Sequence, residues 1–173
     1  MNPKFDKIHL KFKLNGIHYS HEELKEVSYS LIKEGQPYER DVGNFLLDWT
    51  DSKNYVVVNT SGSTGAAKPI KLYKQAMVNS SIATGNFFGL EPGNSALHCL
   101  PAQFIAGKMM LVRAMVLGLE VDLIEPASLP VFDYEKPYDF CAMIPLQLKN
   151  TYDHIQNIKY LIVGGGGGGG TLY

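Results

Sequence analysis

The segment from Asn59 to Lys68 combines hydroxyl side chains, glycines and a lysine directly after the apolar run 55–58. Glycine tolerates positive φ, so the backbone can approach a ligand closely and several N–H groups can point at one anion. Hydroxyl groups can donate further hydrogen bonds, and a lysine adds a mobile positive charge. The residues that would contact the anion are Thr60, Ser61, Gly62, Ser63, Thr64, Gly65 and Lys68. The pattern predicts a phosphate-binding loop, and the alternative is a polar turn between two strands.

The order of residues disfavours one kind of phosphate loop, the Walker loop. That loop needs Gly-Lys-Ser/Thr in direct succession at the start of a helix. Here two alanines separate Gly65 from Lys68, and the strand-like run 69–73 follows. We therefore expect a phosphate loop of another type, and one that does not gain the dipole of a following helix.

The loop resembles the phosphate loop of the AMP-forming adenylating enzymes, which include acyl-CoA synthetases, peptide-synthetase adenylation domains and luciferases. Their pattern is Thr-Ser-Gly-Ser/Thr-Thr-Gly-x-Pro-Lys. Residues 60–65 match it at every position, and Lys68 falls on the lysine. Ala67 stands where the family has proline, a departure that loosens the loop but removes no functional group. The resemblance implies that Lys68 stabilises phosphate during catalysis.

A second stretch, 100–114, is similar to the Leu-Pro-Leu-Phe-His-x-x-Gly region that lies beside the acyl pocket in acyl-CoA synthetases. Phe104 falls on the histidine or aromatic position, and Gly107 falls on the glycine. Phenylalanine can wall an apolar pocket but cannot ionise, so this position has no acid or base role. A core aromatic at a helix start is the alternative for Phe104. Lys108 either faces solvent or meets an anion such as a substrate carboxylate or a neighbouring glutamate.

Taken with Gly118-Leu119 and Glu125-Pro126, these stretches look most like the o-succinylbenzoate–CoA ligases of menaquinone synthesis. The resemblance covers about 55–163 and implies ATP, Mg²⁺ and coenzyme A, with a small-molecule carboxylate as substrate. The family's later motifs are missing, so the resemblance implies a truncated part of the large N-terminal domain. Another aryl or acyl carboxylate, or a non-catalytic nucleotide-binding module, remains an alternative.

The C-terminal part of the sequence is a run of seven glycines, 164–170, followed by Thr-Leu-Tyr. Family members have Gly-Gly-Ala-Pro or similar at this point, touching adenine or the acyl group, so Gly164 and Gly165 are candidate substrate contacts. Any glycine run matches the dinucleotide-binding pattern, and a nicotinamide-dependent oxidoreductase is therefore disfavoured. We interpret 1–163 as the partial domain and 164–173 as a truncation, engineered or placeholder tail.

Composition sets limits on partners and location. The chain of 173 residues has a net charge of −1 and 45% hydrophobic residues, which shows no bias toward nucleic acid or membrane. Two separated cysteines in apolar runs favour reduced thiols in a cytoplasmic protein. His18 and His21 lack a third ligand, so no metal site is assigned. The oligomeric state is left open.

The apolar patterns predict an α/β fold with a mainly parallel sheet flanked by helices and an N-terminal hairpin. The hairpin follows from the alternation over 8–14, the Asn15-Gly16 turn and the return at 17–19. Strands are expected at 55–60, 69–73, 95–100, 119–124, 138–143 and 158–163. Helices are expected at 21–34, 39–49, 74–88, 105–117 and 145–152.

Overall fold

The computed structural model describes residues 3–59 and 66–164, and helices and strands alternate along these ranges. The helices are α1 (His21–Glu34), α2 (Pro37–Thr50), α3 (Lys74–Phe88), α4 (Ile105–Leu117) and α5 (Pro145–Thr151). The strands are β1 (Lys13–Leu14), β2 (Tyr55–Asn59), β3 (Pro69–Tyr73), β4 (Ser95–His98), β5 (Glu120–Leu123), β6 (Tyr138–Met143) and β7 (Ile158–Val163). The helices and strands predicted beyond residue 20 are therefore confirmed to within about two residues at each end, which is the usual uncertainty of such boundaries.

Within the described ranges, the main sheet has five strands in the order β1-β5-β4-β6-β7, and every neighbouring pair is parallel. Parallel sheets are buried on both faces because their crossovers cover them. One apolar cluster joins Phe140 and Ala142 to residues of α3 and α4, and a second cluster contains Leu97 and Cys141. The predicted mainly parallel sheet flanked by helices is confirmed.

Strands β2 and β3 form a separate antiparallel pair. Their register runs from Tyr55 opposite Tyr73 to Asn59 opposite Pro69, and Val56 and Val58 are buried beneath the pair. The segment between these strands is thus the connection of a hairpin, which agrees with the expectation that no helix starts directly after the loop. Helix α3 begins only after β3 has ended.

The N-terminal hairpin needs correction. The tight turn is present, with positive φ at Asn15 and Gly16, and one antiparallel bridge joins Leu14 to Ile17. The strand, however, is only Lys13–Leu14, and it pairs in parallel with β5 rather than with the returning chain. The sheet edge supplies backbone partners, and Asn15 Oδ1 accepts a hydrogen bond from the Leu123 N–H at 2.8 Å. Local alternation cannot reveal such a distant partner.

Helices α1 and α2 pack closely through a glycine. Helix α1 begins with a capping box, in which Ser20 and Glu23 exchange side-chain-to-backbone hydrogen bonds. Gly43 of α2 lies against α1: a Cβ there would be 2.7 Å from the Ser28 carbonyl oxygen and 2.9 Å from Ile32 Cγ1. The glycine therefore permits the close approach of the two helices.

Substitution of this glycine tests the packing. We expect Gly43→Ala to lower the free energy of unfolding by about 1–3 kcal/mol, because overpacking outweighs the gain in helix propensity. Asn44→Ala, at the exposed next position of the same helix, is the control and should be no less stable than the parent. Urea unfolding followed through Trp49, the only tryptophan of the sequence, measures both. An unchanged midpoint for Gly43→Ala would contradict the tight contact.

A buried ion pair joins α2 to α3. The Lys74 side chain is fully buried, and its Nζ donates to Asp51 Oδ1 at 2.8 Å, while the Asp51 side chain is 33% exposed. Burial by itself raises the pKa of Asp51, but the hydrogen bonds from Lys74 and from the Lys53 backbone, with the two lysine charges, outweigh it and hold the pKa below its usual value. The pair fixes the start of α3 at the end of α2.

The unequal burial of the two partners predicts unequal mutational effects. Asp51→Ala leaves a buried ammonium without its carboxylate and should cost about 3 kcal/mol, whereas Lys74→Met leaves a carboxylate that water can reach and should cost less than about 1 kcal/mol. Because the folded pKa of Asp51 is lowered, its contribution is present above the unfolded pKa of about 3.9 and is lost as pH falls through the folded pKa. Urea titrations of both variants at pH 7 and pH 3 check this. Equal losses of unfolding free energy in the two variants at pH 7 would contradict the unequal roles of Asp51 and Lys74.

Both cysteines, Cys99 and Cys141, are free and buried, as the sequence analysis expected. A hydrogen bond with the neighbouring Cys99 thiol, together with burial, raises the pKa of Cys141, so this thiol stays protonated. No helix in the described part of the chain combines the length and apolar character that crossing a membrane requires.

Candidate functional site

The predicted phosphate loop is described only at its base. Thr60, Ser61, Gly62, Ser63, Thr64 and Gly65 lie outside the described residues, as does Gly165. Asn59 and Pro69 are paired across the β2–β3 hairpin, so the two ends of the loop are held side by side. Lys68 is exposed and immediately precedes Pro69, which places its backbone at the base of the loop. The predicted roles of these residues stay predictions.

The other described candidates lie at the carboxyl edge of the main sheet: Phe104 ends the turn that joins β4 to α4, Gly107 and Lys108 are in the first turn of α4, and Gly164 follows β7. We call residues 99–104 the α4 turn. Phe104 is half-buried at the N-cap of α4, and its side chain makes no capping hydrogen bond. Strand connections run from β4 toward β5 on one side and from β6 toward β7 on the other. The α4 turn therefore borders a topological switch point, where open α/β sheets bind ligands.

Gly107 allows α4 to press against this turn. A Cβ at this position would collide with the Pro101 carbonyl group, so only glycine fits. The Gly107 carbonyl accepts a hydrogen bond from His98 Nε2 at 2.9 Å. His98 is buried, and burial lowers its pKa further than its backbone hydrogen bonds raise it, so the imidazole is neutral with the proton on Nε2. Gly107 and His98 thus lock the first turn of α4 onto β4.

Lys108 is buried, and the expectation that it faces solvent was wrong. Its Nζ donates to the carbonyl oxygens of Ala102 at 2.8 Å and Gln103 at 2.7 Å, and it lies 5.8 Å from the centre of the Phe45 ring. Burial lowers the pKa of Lys108, and the charges of Asp48 and Asp41 oppose that shift. Apolar neighbours in the sequence gave no sign that two backbone carbonyls would receive this ammonium group.

Gln147 is a site residue that the sequence analysis missed. It is fully buried, and its Nε2 donates to the carbonyl oxygens of Cys99 at 2.9 Å and Ala127 at 3.0 Å. Its Oε1 accepts from the Ile144 N–H at 3.1 Å. One amide side chain therefore joins the segments that follow β4, β5 and β6. The available signal was a glutamine three residues after Ile144, the capping-box spacing that precedes a helix.

Gly164 continues the sheet at the end of β7. Its N–H donates to the Met143 carbonyl oxygen at 3.2 Å, and a Cβ at this position would meet no atom of the described residues within 4 Å. The residue is therefore at the same carboxyl edge as the α4 turn. Its contact with a substrate stays a prediction.

Arg113 reaches neither an acid nor, with its Nε, a hydrogen-bond partner among the described residues: its guanidinium lies 5.9 Å from the Phe140 ring centre, and Nη1 is 3.6 Å from Met110 Sδ. Burial lowers its pKa. In the ranges 3–59 and 66–164, no group of three or more His, Cys, Asp or Glu side chains is arranged to hold a metal ion.

Comparisons with solved structures identify similar folds. An acyl-CoA synthetase (AMP-forming)/AMP-acid ligase II-like protein from Dyadobacter fermentans matches over 82% of this chain at 34% identity, with a TM-score of 0.69. The chain spans 42% of that protein's length. The sequence matches no family model and no curated protein.

Solved structures with lower sequence identity to this chain share the same fold. The o-succinylbenzoate coenzyme A synthetase of Bacillus subtilis in complex with AMP matches 64% of this chain at 19% identity, with a TM-score of 0.55, and this chain spans 24% of its length. The same enzyme with ATP and magnesium gives 19% identity and a TM-score of 0.54. The described part of the chain therefore has the fold of the N-terminal part of the AMP-forming adenylating enzymes and resembles the acyl-CoA synthetases of that superfamily.

Proposed function

We propose that this chain forms the front part of the nucleotide-binding domain of an ATP-dependent acid–CoA ligase. The observation that carries the proposal is the match of 60–65 and Lys68 to the phosphate loop of the superfamily, in a chain with the superfamily's fold. The hairpin supports it, because the paired ends of β2 and β3 hold the two ends of the loop side by side.

The proposed chemistry has two half-reactions. A carboxylate oxygen of the substrate attacks the α-phosphorus of ATP, the bond to the β-phosphate breaks, and pyrophosphate leaves. The thiolate of coenzyme A then attacks the acyl carbon of the adenylate, and AMP leaves with the electron pair of the broken C–O bond. In the first step, the loop N–H groups, the hydroxyls and Lys68 would stabilise the charge that develops on the departing pyrophosphate.

ATP would arrive as its magnesium complex. The described residues contain no cluster of acidic or histidine side chains for a resident metal. The ion would therefore be bound through phosphate oxygens, which are the partners that Mg²⁺ takes most readily in such sites. Binding of ATP and magnesium by the Bacillus subtilis enzyme of the same fold supports this part of the proposal.

The proposed carboxylate is o-succinylbenzoate, which would place the protein in menaquinone biosynthesis. Its support is the sequence likeness of 105–126 and the fold shared with o-succinylbenzoate coenzyme A synthetase. A half-buried Phe104 beside the switch point suits an aromatic acid, since ring stacking adds to area burial. Another aryl or acyl carboxylate is the second candidate, favoured by the 34% identity to a ligase-like protein whose acid is unnamed. The two buried free thiols support a cytoplasmic location.

Removal of the lysine charge tests the phosphate role. In a form that also carries the regions found in the longer relatives, Lys68→Ala should slow carboxylate-dependent ATP–pyrophosphate exchange by about two orders of magnitude, because one stabilising donor is lost. Lys71→Ala removes the same charge from β3, where the ammonium lies over the Tyr55 ring, and is the matched control. Its exchange rate should stay within about twofold of the parent. Equal rates for the two variants would remove Lys68 from the mechanism.

The choice of acid is tested by the same exchange assay with a panel of carboxylates. We expect o-succinylbenzoate to give the highest kcat/KM, ahead of benzoate and of medium-chain fatty acids. ATP binding without exchange for any acid would instead indicate a nucleotide-binding module.

The short chain offers a separate prediction. Because it spans 42% of the length of the Dyadobacter protein, the 173-residue chain alone should make no o-succinylbenzoyl-CoA from ATP, coenzyme A and the acid. Liquid chromatography with mass detection checks this. A peak of o-succinylbenzoyl-CoA would contradict the proposal that the full reaction needs the additional regions of the longer relatives.

A further inference from the structure

The α4 turn has to be rigid if it borders a ligand crevice. It leaves β4 at a switch point, and Cys99, Leu100 and Ala102 are all buried within it. Buried carbonyl groups that lack donors cost stability, so each needs an internal partner. Gln147 supplies the donor for the Cys99 carbonyl, at the start of the turn.

The second half of the turn is held by Lys108. Its ammonium group donates to two successive carbonyls, those of Ala102 and Gln103, at 2.8 Å and 2.7 Å. These bonds fix the two peptide groups that immediately precede Phe104. The Phe104 N–H also donates to the Pro101 carbonyl at 3.3 Å, so the backbone on which the Phe104 side chain stands is closed into a tight loop.

Lys108 also ties this loop to α2. Its ammonium group lies over the face of Phe45, and Asp48 and Asp41 on the same helix supply the negative charges that favour its charged form. Among the described residues, no carboxylate comes within ion-pair distance of it. Two backbone dipoles, an aromatic ring and distant carboxylates therefore offset the cost of burying the charge, an arrangement that requires the turn to keep one conformation.

We propose that Lys108 is a positioning residue: it contacts backbone carbonyls rather than substrate, and it sets the place of Phe104 at the carboxyl edge of the sheet, beside the switch point between β4 and β6. Through Phe104 it governs affinity for the carboxylic acid and leaves ATP binding unaffected. This inference rests on the proposed function, and it replaces the expectation that Lys108 itself meets a substrate carboxylate.

The test is a double-mutant cycle in the form that carries the remaining regions, read as pyrophosphate exchange. Lys108→Met keeps the length of the side chain but removes the donors, and it should raise the KM for the acid by about tenfold while the KM for ATP changes less than about twofold. Phe104→Ala should raise the same KM, and the double variant should be no worse than the poorer single variant, because both act through one side chain. Lys33→Met, an exposed lysine at the end of α1, is the control.

Additive effects of Lys108→Met and Phe104→Ala would overturn the inference, as would equal changes in both KM values. Lys108→Arg keeps a cation and N–H donors and should retain more of the acid affinity than Lys108→Met. If Lys108→Arg and Lys108→Met lose the same affinity for the acid, Lys108 contributes only side-chain volume and the positioning role is wrong. If none of the carboxylic acids supported pyrophosphate exchange by the parent protein, the proposed function would be refuted instead.

Hydrogen exchange of the protein tests the positioning role without activity. The N–H groups of Phe104 and Lys108 donate to the Pro101 and Phe104 carbonyls at 3.3 Å and 3.1 Å. In Lys108→Met, the peptide covering 101–108 should exchange about tenfold faster, because the local opening free energy falls, while peptides of β6 should not change. Unchanged protection of 101–108 would overturn the inference even if no substrate is ever found.

Discussion

The carbonyl groups at the carboxyl end of β4 must find hydrogen-bond donors inside the protein, because this end of the strand is buried. A parallel sheet satisfies its backbone within the strands, but not in the turns that leave them. Gln147 and Lys108 supply the missing donors for the α4 turn, and His98 supplies one for the first turn of α4. The position of α4 and the conformation of the turn at the switch point both depend on these bonds. The polar side chains at this edge therefore stabilise the backbone, and they would affect a bound ligand only through the backbone conformation that they fix.

Two buried lysines and a partly buried arginine illustrate three ways of keeping a charge in an apolar setting. Lys74 pairs with a carboxylate that water still reaches, so the pair can be broken from one side at low cost. Lys108 uses two backbone carbonyls and an aromatic face. Arg113 lies over the Phe140 ring and beside a methionine sulfur, with its Nε unbonded among the described residues. Of the three, only Lys108 contacts backbone groups of the α4 turn, which is why the proposed positioning role concerns Lys108 and neither of the other two cations.

The two regions that resemble adenylating enzymes are built differently. The predicted phosphate loop connects the two strands of an antiparallel hairpin, whereas the α4 turn joins a parallel strand to a helix. The hairpin brings the ends of its loop together through Asn59 and Pro69 and leaves Lys68 exposed beside them. The α4 turn instead draws its lysine inside. Degree of burial thus separates the two lysines: Lys68 is exposed at the base of the hairpin connection, and Lys108 is buried against backbone carbonyls of the α4 turn.

The linear order of residues determined the elements and the phosphate-loop pattern. Apolar periodicity, the capping box at Ser20 and the glycines at 35 and 118 act over a few residues, so helices and most strands could be read directly. The tertiary structure alone decided what depends on distant partners. It moved β1 from a hairpin to the edge of the sheet beside β5, buried Lys108 against carbonyls that precede it, and placed Gln147 across three strand ends. These outcomes follow from the competition of buried polar groups for donors, which short-range patterns do not record.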